Sequence, residues 1–170
     1  MRVKLVLILL FFLLPAGKFA TGQMDVNNAQ AIFIYNFLSQ TQWPEGSIGE
    51  NLIIGVLGTT PTTAHLKKIT DQRKIGTKSV VVVQFSNSKE LTNCHLLFIA
   101  SNKSSEMAAV QQKLNGKSCL IVGEKTGLTN SGAGIDFAII DGKLRYKINE
   151  QNIKSQNLFL SSQLVQMAMK

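Results

Sequence analysis

The sequence predicts an α/β protein, a three-layer sandwich in which a mixed, mostly parallel sheet carries helices on both faces, with an antiparallel hairpin near the C-terminus. Three observations lead there. Four segments, NLIIGVLG (51–58), SVVVVQF (79–85), CHLLFIA (94–100) and SCLIVG (118–123), are almost wholly apolar. Such runs suit strands buried on both faces, as the strands of parallel sheets are. Segments with helical character lie between several of them, the alternation expected of βαβ units. Beyond Gly123 the style changes: GIDFAIIDGKLRYKIN (134–149) is two short runs around Asp141-Gly142, a dipeptide suited to a tight hairpin turn.

The elements follow in order. The chain opens with MRVKLVLILLFFLLPAG, in which Arg2 and Lys4 form a basic start and Leu5 to Leu14 is an unbroken apolar run of ten residues. A bilayer core needs about 20. Ala20-Thr21-Gly22 then supplies the small residues that signal cleavage requires. Residues 1–22 therefore read as a secretory signal peptide and 23–170 as one exported domain, with an uncleaved membrane anchor as the alternative. No cysteine sits near the junction, so a lipoprotein anchor is not expected. Residues 26–41 carry apolar positions at 31, 34, 35 and 38 and again at 33 and 37. This helix must stop by Trp43, because Pro44 pushes its predecessor out of the α region. The strand at 51–58 follows, then a short helix from Thr62 to Thr70 whose start is marked by Pro61. The uninterrupted β-branched run at 79–85 predicts a central strand. After the strand at 94–100 comes a helix from Ser104 to Asn115, capped near Ser104 or Ser105 and ended by Gly116, and then the strand at 118–123. The closing SSQLVQMAMK predicts a helix that begins near Ser161 or Ser162.

Composition narrows the function. The full chain has a net charge of +8, and loss of Arg2, Lys4 and Lys18 with the signal leaves fifteen basic against ten acidic residues, a net +5. The lysines are scattered, with only Lys67-Lys68 and Arg73-Lys74 adjacent, and no basic stripe alternates with aromatics. A solvated surface accounts for that charge, and nucleic acid is not an expected partner. The turn Gly55-Val-Leu-Gly58 lacks a third glycine and a phosphate-binding lysine, and Pro61 intrudes, so no nucleotide cofactor is expected. His65 and His95 are the only histidines. Cys94 and His95 are adjacent, which on a strand sends their side chains to opposite faces and separates thiol from imidazole. The carboxylates are dispersed, no metal-ligand spacing occurs, and no GxSxG elbow follows a strand. No catalytic, cofactor-binding or metal-binding residue is assigned, and an enzyme is not expected.

Two groups of residues remain as candidates. Cys94 opens one predicted strand and Cys119 lies near the start of the next, across a βαβ crossover. Neighbouring parallel strands bring both to one sheet edge, where a bridge needs Cα atoms about 4.4–6.8 Å apart. An exported domain lives in an oxidising compartment, so the pair is a candidate disulfide, with two buried free thiols as the alternative. The stretch AIFIYNFLSQTQWP (31–44) holds four of the twelve aromatics. Phe33, Ile34 and Phe37 fit the core face of the first helix. Tyr35 and Trp43 stay open as a partner surface, together with the apolar C-terminal helix bearing Leu164, Val165, Met167 and Met169. The alternative for that helix is simple docking on the sheet.

The order of these segments carries a resemblance. It runs from a signal peptide through Ala31-Ile-Phe-Ile-Tyr35-Asn36-Phe37 to Trp43-Pro44, then Ile54-Gly-Val-Leu-Gly58, Cys94-His95-Leu-Leu-Phe-Ile99 and Leu120-Ile-Val-Gly123-Glu124. It closes with Gly127…Gly132…Ile135-Asp-Phe137, Leu144-Arg-Tyr146-Lys-Ile148-Asn149 and Leu160-Ser-Ser162. Over almost the entire mature chain this resembles the YfiR-like family of periplasmic proteins. The resemblance implies a non-catalytic regulator that binds and restrains the extracytoplasmic sensor region of a membrane diguanylate cyclase or sensor kinase. It further implies relief by redox change or by an outer-membrane lipoprotein, while homodimer formation stays open. It also implies stabilising disulfides, and here the sequence departs. Only two cysteines exist; the position of Cys94 matches, but Ile53 and Ile54 stand where the family has its partner. A periplasmic small-ligand binding protein is the rival reading.

Overall fold

Asp25 caps the first helix by accepting hydrogen bonds at Oδ1 from the N–H groups of Asn27 (3.1 Å) and Asn28 (3.2 Å). It is also the first residue described: the structure, a computed structural model, covers residues 25–169. The signal-peptide expectation for residues 1–22 lies outside them. Among the described residues, no helix is long and apolar enough to cross a membrane.

The chain runs α1 (Val26–Ser39), β1 (Thr41–Gln42), β2 (Asn51–Leu57), α2 (Thr62–Gln72), β3 (Ser79–Phe85), β4 (Leu96–Ile99), α3 (Met107–Leu114), β5 (Leu120–Gly123), β6 (Ile135–Ile140), β7 (Lys143–Ile148), α4 (Glu150–Ser155), β8 (Phe159–Leu160) and α5 (Ser162–Met167). The main sheet has six strands in the order β3-β2-β4-β5-β6-β7, and only β7 is antiparallel to its neighbour. The mixed, mostly parallel sheet and the hairpin are as predicted. At the hairpin, Asp141 (φ 50°) and Gly142 (φ 69°) are both left-handed, the tight turn expected of Asp-Gly.

Side chains alternate between two cores. Leu52, Ile54 and Val56 of β2, with Leu96, Phe98, Leu120 and Val122, pack against Ile34, Phe37 and Leu38 of α1 and Leu66 of α2. Leu97, Ile99, Cys119 and Ile121 pack against Met107, Val110 and Leu114 of α3 on the opposite face. Helices thus cover both faces. The aromatic stretch belongs largely to the first core, as expected: Phe37 meets Tyr146 edge-on with ring centroids 4.9 Å apart, and Phe33 meets Tyr146 at 5.3 Å. The Tyr146 hydroxyl donates to the Leu164 carbonyl at 2.8 Å, which ties the hairpin to α5.

Several expectations need correction. The run at 79–85 is an edge strand, not a central one; its core-facing residues Val80 and Phe85 are buried, but Val81 is 41 % exposed. β-branched content reports strand preference and says little about position in the sheet. The first helix ends at Ser39 rather than running to 41, because Thr41 and Gln42 leave it to pair with Leu160 and Phe159. The helix expected from Ser104 starts at Met107, after a 3-10 segment at Ser101–Glu106, and no serine side chain caps it. α4 and the two-stranded β1–β8 ribbon were not anticipated. α5 begins as expected, with Ser161 Oγ accepting from the Leu164 N–H at 3.3 Å.

Candidate functional site

The two cysteines meet at the start of the parallel strands. β4 and β5 are neighbours in parallel register, Leu96 opposite Leu120, and the sulfurs of Cys94 and Cys119 lie 3.5 Å apart as buried free thiols. Gly55 makes room for them: a methyl there would stand 3.3 Å from Cys94 Sγ and 3.0 Å from Leu97 Cδ1. The Cys119 thiol donating toward Cys94 holds the Cys94 thiol below its ordinary value, against the opposing effect of burial. The same contact, with full burial, pushes Cys119 up.

Beside the thiols is a cleft of about 260 Å³ lined by Ser47, Ile53, Asn93, Cys94, His95, Lys117 and Ser118. Cys94 and His95 precede β4 instead of lying within it, so both reach this cleft and the expected opposition of their side chains does not hold. They are nevertheless not partners. The imidazole Nδ1 accepts from the Ile53 N–H at 2.9 Å, and Nε2 lies 3.2 Å from the Ser47 carbonyl. Burial lowers its pKa, and the Ser47 contact only partly offsets this. A neutral ring that accepts at Nδ1 and donates at Nε2 fits both contacts. Trp43 packs edge-on against it, with ring centroids 5.6 Å apart. His95 is a positioning residue for the start of β2, a role that sequence reasoning missed. No signal in the sequence marks it, since His95 reads there as part of the strand at 94–100.

The usual ligand position of such a sheet lies elsewhere. Open α/β sheets bind ligands beyond the carboxyl ends of their strands, where the strand order reverses. That point falls between β2 and β4. The protein fills it with its own groups: Glu124 accepts from Thr60 Oγ1 at 2.7 Å and from the Ser101 N–H at 2.6 Å, bridging the two loops. Asn102 Nδ2 donates to the Thr59 carbonyl at 3.4 Å. Gly58 (φ +97°) permits this closure, since a methyl there would stand 2.5 Å from Asn102 Oδ1. A second concavity, a groove of about 550 Å³ lined in part by Asn28, His65, Lys68 and Arg73, runs between α1 and α2.

The remaining candidates fall on different surfaces. Tyr35 is half-buried, its hydroxyl donating to the Lys74 carbonyl at 3.0 Å. Leu164 is buried in the core at 2 % exposure and faces the sheet, so it offers no surface. Met167 is 53 % exposed and Val165 36 %. Phe159, which sequence reasoning did not single out, is 57 % exposed, the highest value among the exposed large apolar residues. The β1–β8 ribbon sets it opposite Gln42, one residue from Trp43. Phe159 and Val165 line one shallow groove of about 70 Å³ near the C-terminal end of the described chain, and Met167, two residues beyond Val165, is exposed separately. Nothing in the sequence before it distinguishes Phe159 from a core residue.

Among the described residues, no group of three or more histidine, cysteine, aspartate or glutamate side chains is arranged to hold a metal. Compared with known proteins, the chain matches the family model described as YfiR/HmsC-like over residues 27–169. No curated protein sequence matches it.

Proposed function

The chain belongs to the YfiR/HmsC-like family, and from that premise we propose that it is a periplasmic regulatory protein that binds and restrains the extracytoplasmic sensor region of a membrane signalling protein, a diguanylate cyclase or a sensor kinase. The observation that carries this reading is the exposure of Phe159, Val165 and Met167 near the C-terminal end, of which Phe159 and Val165 line one groove and Phe159 and Met167 are more than half exposed. Large apolar side chains grouped on a surface mark protein-binding sites, where aromatic residues and methionine are enriched. The closed crevice between β2 and β4 points the same way, because the position that would hold a small substrate is occupied by Glu124. The role needs no turnover: a regulator that prefers the inactive state of its target shifts the population by mass action.

The test is binding between the purified protein and the sensor region of a neighbouring membrane cyclase or kinase. Phe159→Asp and Met167→Asp should each weaken that binding by about tenfold or more while leaving the melting temperature unchanged. Undiminished binding by both variants would remove these residues from the interface. The groove between α1 and α2 favours a second reading, a periplasmic small-ligand binding protein, since its size falls in the range of ligand pockets, about 300–1,000 Å³. Saturable stabilisation by a metabolite, lost on Lys68→Ala, would support that reading instead.

A further inference from the structure

The groove between α1 and α2 has walls set by helical spacing. His65, Lys68, Ile69 and Gln72 recur at i, i+3, i+4 and i+7 along one face of α2, and Asn28 and Ile32 line the α1 side. Its charge is one-sided. Lys68 and Arg73 are exposed, and neither forms an ion pair among the described residues. The single carboxylate that lines the groove, Asp25, is already engaged: it caps α1 and lies 3.4 Å from His65 Nε2. Asp71, the only acidic residue of α2, does not line the groove. An anion therefore meets two uncompensated cations there. Apolar surface lies beside them, since Ile32 is 42 % exposed and Ile69 is half-buried.

That combination selects the ligand chemistry. A bare phosphate or carboxylate uses the cations and gains nothing from Ile32. A purely apolar molecule gains from Ile32 but strips water from Lys68 and Arg73 without repaying it. An anionic head on a hydrocarbon body uses both. The groove also holds its contents open to water, because six of its eight lining residues are exposed. A pocket for a free metabolite instead buries about 70–90 % of its ligand. An open, cationic and partly apolar groove suits an extended anionic surface better than an enclosed molecule.

We propose that the α1–α2 groove docks the protein on anionic phospholipid, with a headgroup phosphate between Lys68 and Arg73 and Ile32 entering the boundary of the acyl chains. The net positive charge of the chain draws it to the same surface. Two cations and one isoleucine give a weak and reversible attachment, since stable anchoring takes stronger or multiple signals. The attachment holds the protein at the membrane from which an extracytoplasmic sensor region projects, which raises its effective concentration there. It does not depend on the sensor reading, because vesicles contain no sensor.

Co-sedimentation with vesicles tests the docking. Vesicles of phosphatidylglycerol in phosphatidylcholine should bring the purified protein down and vesicles of phosphatidylcholine alone should not. Raising salt from about 0.1 M to about 1 M should release most of it. Lys68→Glu combined with Arg73→Glu should weaken the binding by at least about tenfold. Lys113→Glu combined with Lys125→Glu, an equal change of charge outside the groove, should leave most of it. Ile32→Ser should reduce the portion that survives salt, and an unchanged portion overturns the entry of Ile32. Absence of any preference for phosphatidylglycerol overturns the proposal, as does equal loss with either pair of substitutions, which reduces the attraction to net charge. Saturable binding of glycerol 3-phosphate without vesicle binding assigns the groove to a small soluble anion and likewise overturns docking. Should the Lys68 and Arg73 pair fail to fold, amine labelling of the unsubstituted protein decides: phosphatidylglycerol vesicles should protect Lys68 and leave Lys113 labelled, and equal labelling of both overturns the site.

Discussion

Cys94 and Cys119 stand where oxidation would join them, with their sulfurs 3.5 Å apart across neighbouring strands. In an oxidising compartment the expected outcome is a disulfide closing a loop of 25 residues, for which chain-entropy reasoning gives about 3 kcal/mol. Non-reducing peptide mapping should recover the two segments linked, and reduction should lower the melting temperature. Quantitative labelling of both thiols in unreduced, folded protein would show the bridge absent. The closeness of the two thiols was legible in the sequence because a βαβ crossover restricts where its two strands begin. The adjacent His95 was not: its position depends on the chain entering β4 two residues late, a local detail with no composition signal. His95 gives a second prediction. Its folded pKa is lowered, so the unfolded chain takes up a proton near the ordinary value of 6.5 while the folded protein still excludes it. Stability is therefore complete above that value and is lost as pH falls below it. Melting temperature should drop between about pH 7.5 and about pH 5.5, and His95→Gln should flatten that drop. A third residue, Asp136, is fully buried; its Oδ2 accepts from the N–H groups of Gly127 (3.0 Å) and Thr129 (2.8 Å) and from Thr129 Oγ1 (2.8 Å). Asp136→Ala orphans those donors and should cost about 3 kcal/mol in denaturant unfolding.

Among the elements, the ones legible from sequence are those whose burial is nearly complete. β2, β4 and β5 are apolar on both faces because both faces carry helices or turns, and their runs stand out without any tertiary knowledge. β3 carries an equally strong β-branched signal, yet sits at the edge, because edge or centre is decided by which crossover goes which way and leaves no mark in a single strand. The short elements at the C-terminal end were hidden for another reason. α4, of six residues, is too short to show a helical period, and Phe159 in β8 looks apolar enough for a core while pairing leaves it outside. Glycine positions explain more of the packing than periodicity did. Gly55 lies in the middle of β2, and a side chain there would meet Leu97 Cδ1 and Phe85 Cε2 at 3.0 Å each. Gly55→Ala should therefore overpack the α3 side of the sheet, costing about 1–3 kcal/mol and spreading Cys94 from Cys119. A thermal melt measures the first effect, and slower disulfide formation under a fixed oxidant measures the second. An unchanged melting temperature would mean that β2 yields more readily than a close-packed interior should.

At the scale of the whole molecule, the sheet supplies a rigid support with two working ends. The carboxyl end of the strands is closed by Glu124 between the loops after β2 and β4. The amino end gathers the thiol pair, His95 and Trp43, and the β1–β8 ribbon sets Gln42, the neighbour of Trp43, opposite the exposed Phe159. A change at the thiols therefore lies within a few side chains of the surface that we assign to a partner. If that surface holds a sensor in its inactive state, moving the sensor from 1:99 to 99:1 requires about 5.5 kcal/mol of preference for that state. Loss of one central apolar contact, worth about 2 kcal/mol, is enough to release part of that restraint, and loss of two releases most of it. Deleting the gene should raise cyclase or kinase output in the same cell, and restoring it with Phe159→Asp should leave output elevated although the protein accumulates normally. Tyr35→Phe, which removes only the hydroxyl contact to the Lys74 carbonyl on another face, should restore repression fully. Restored repression by Phe159→Asp would place the regulatory contact away from Phe159, and unchanged output on deletion, together with tight metabolite binding, would favour the ligand-binding reading.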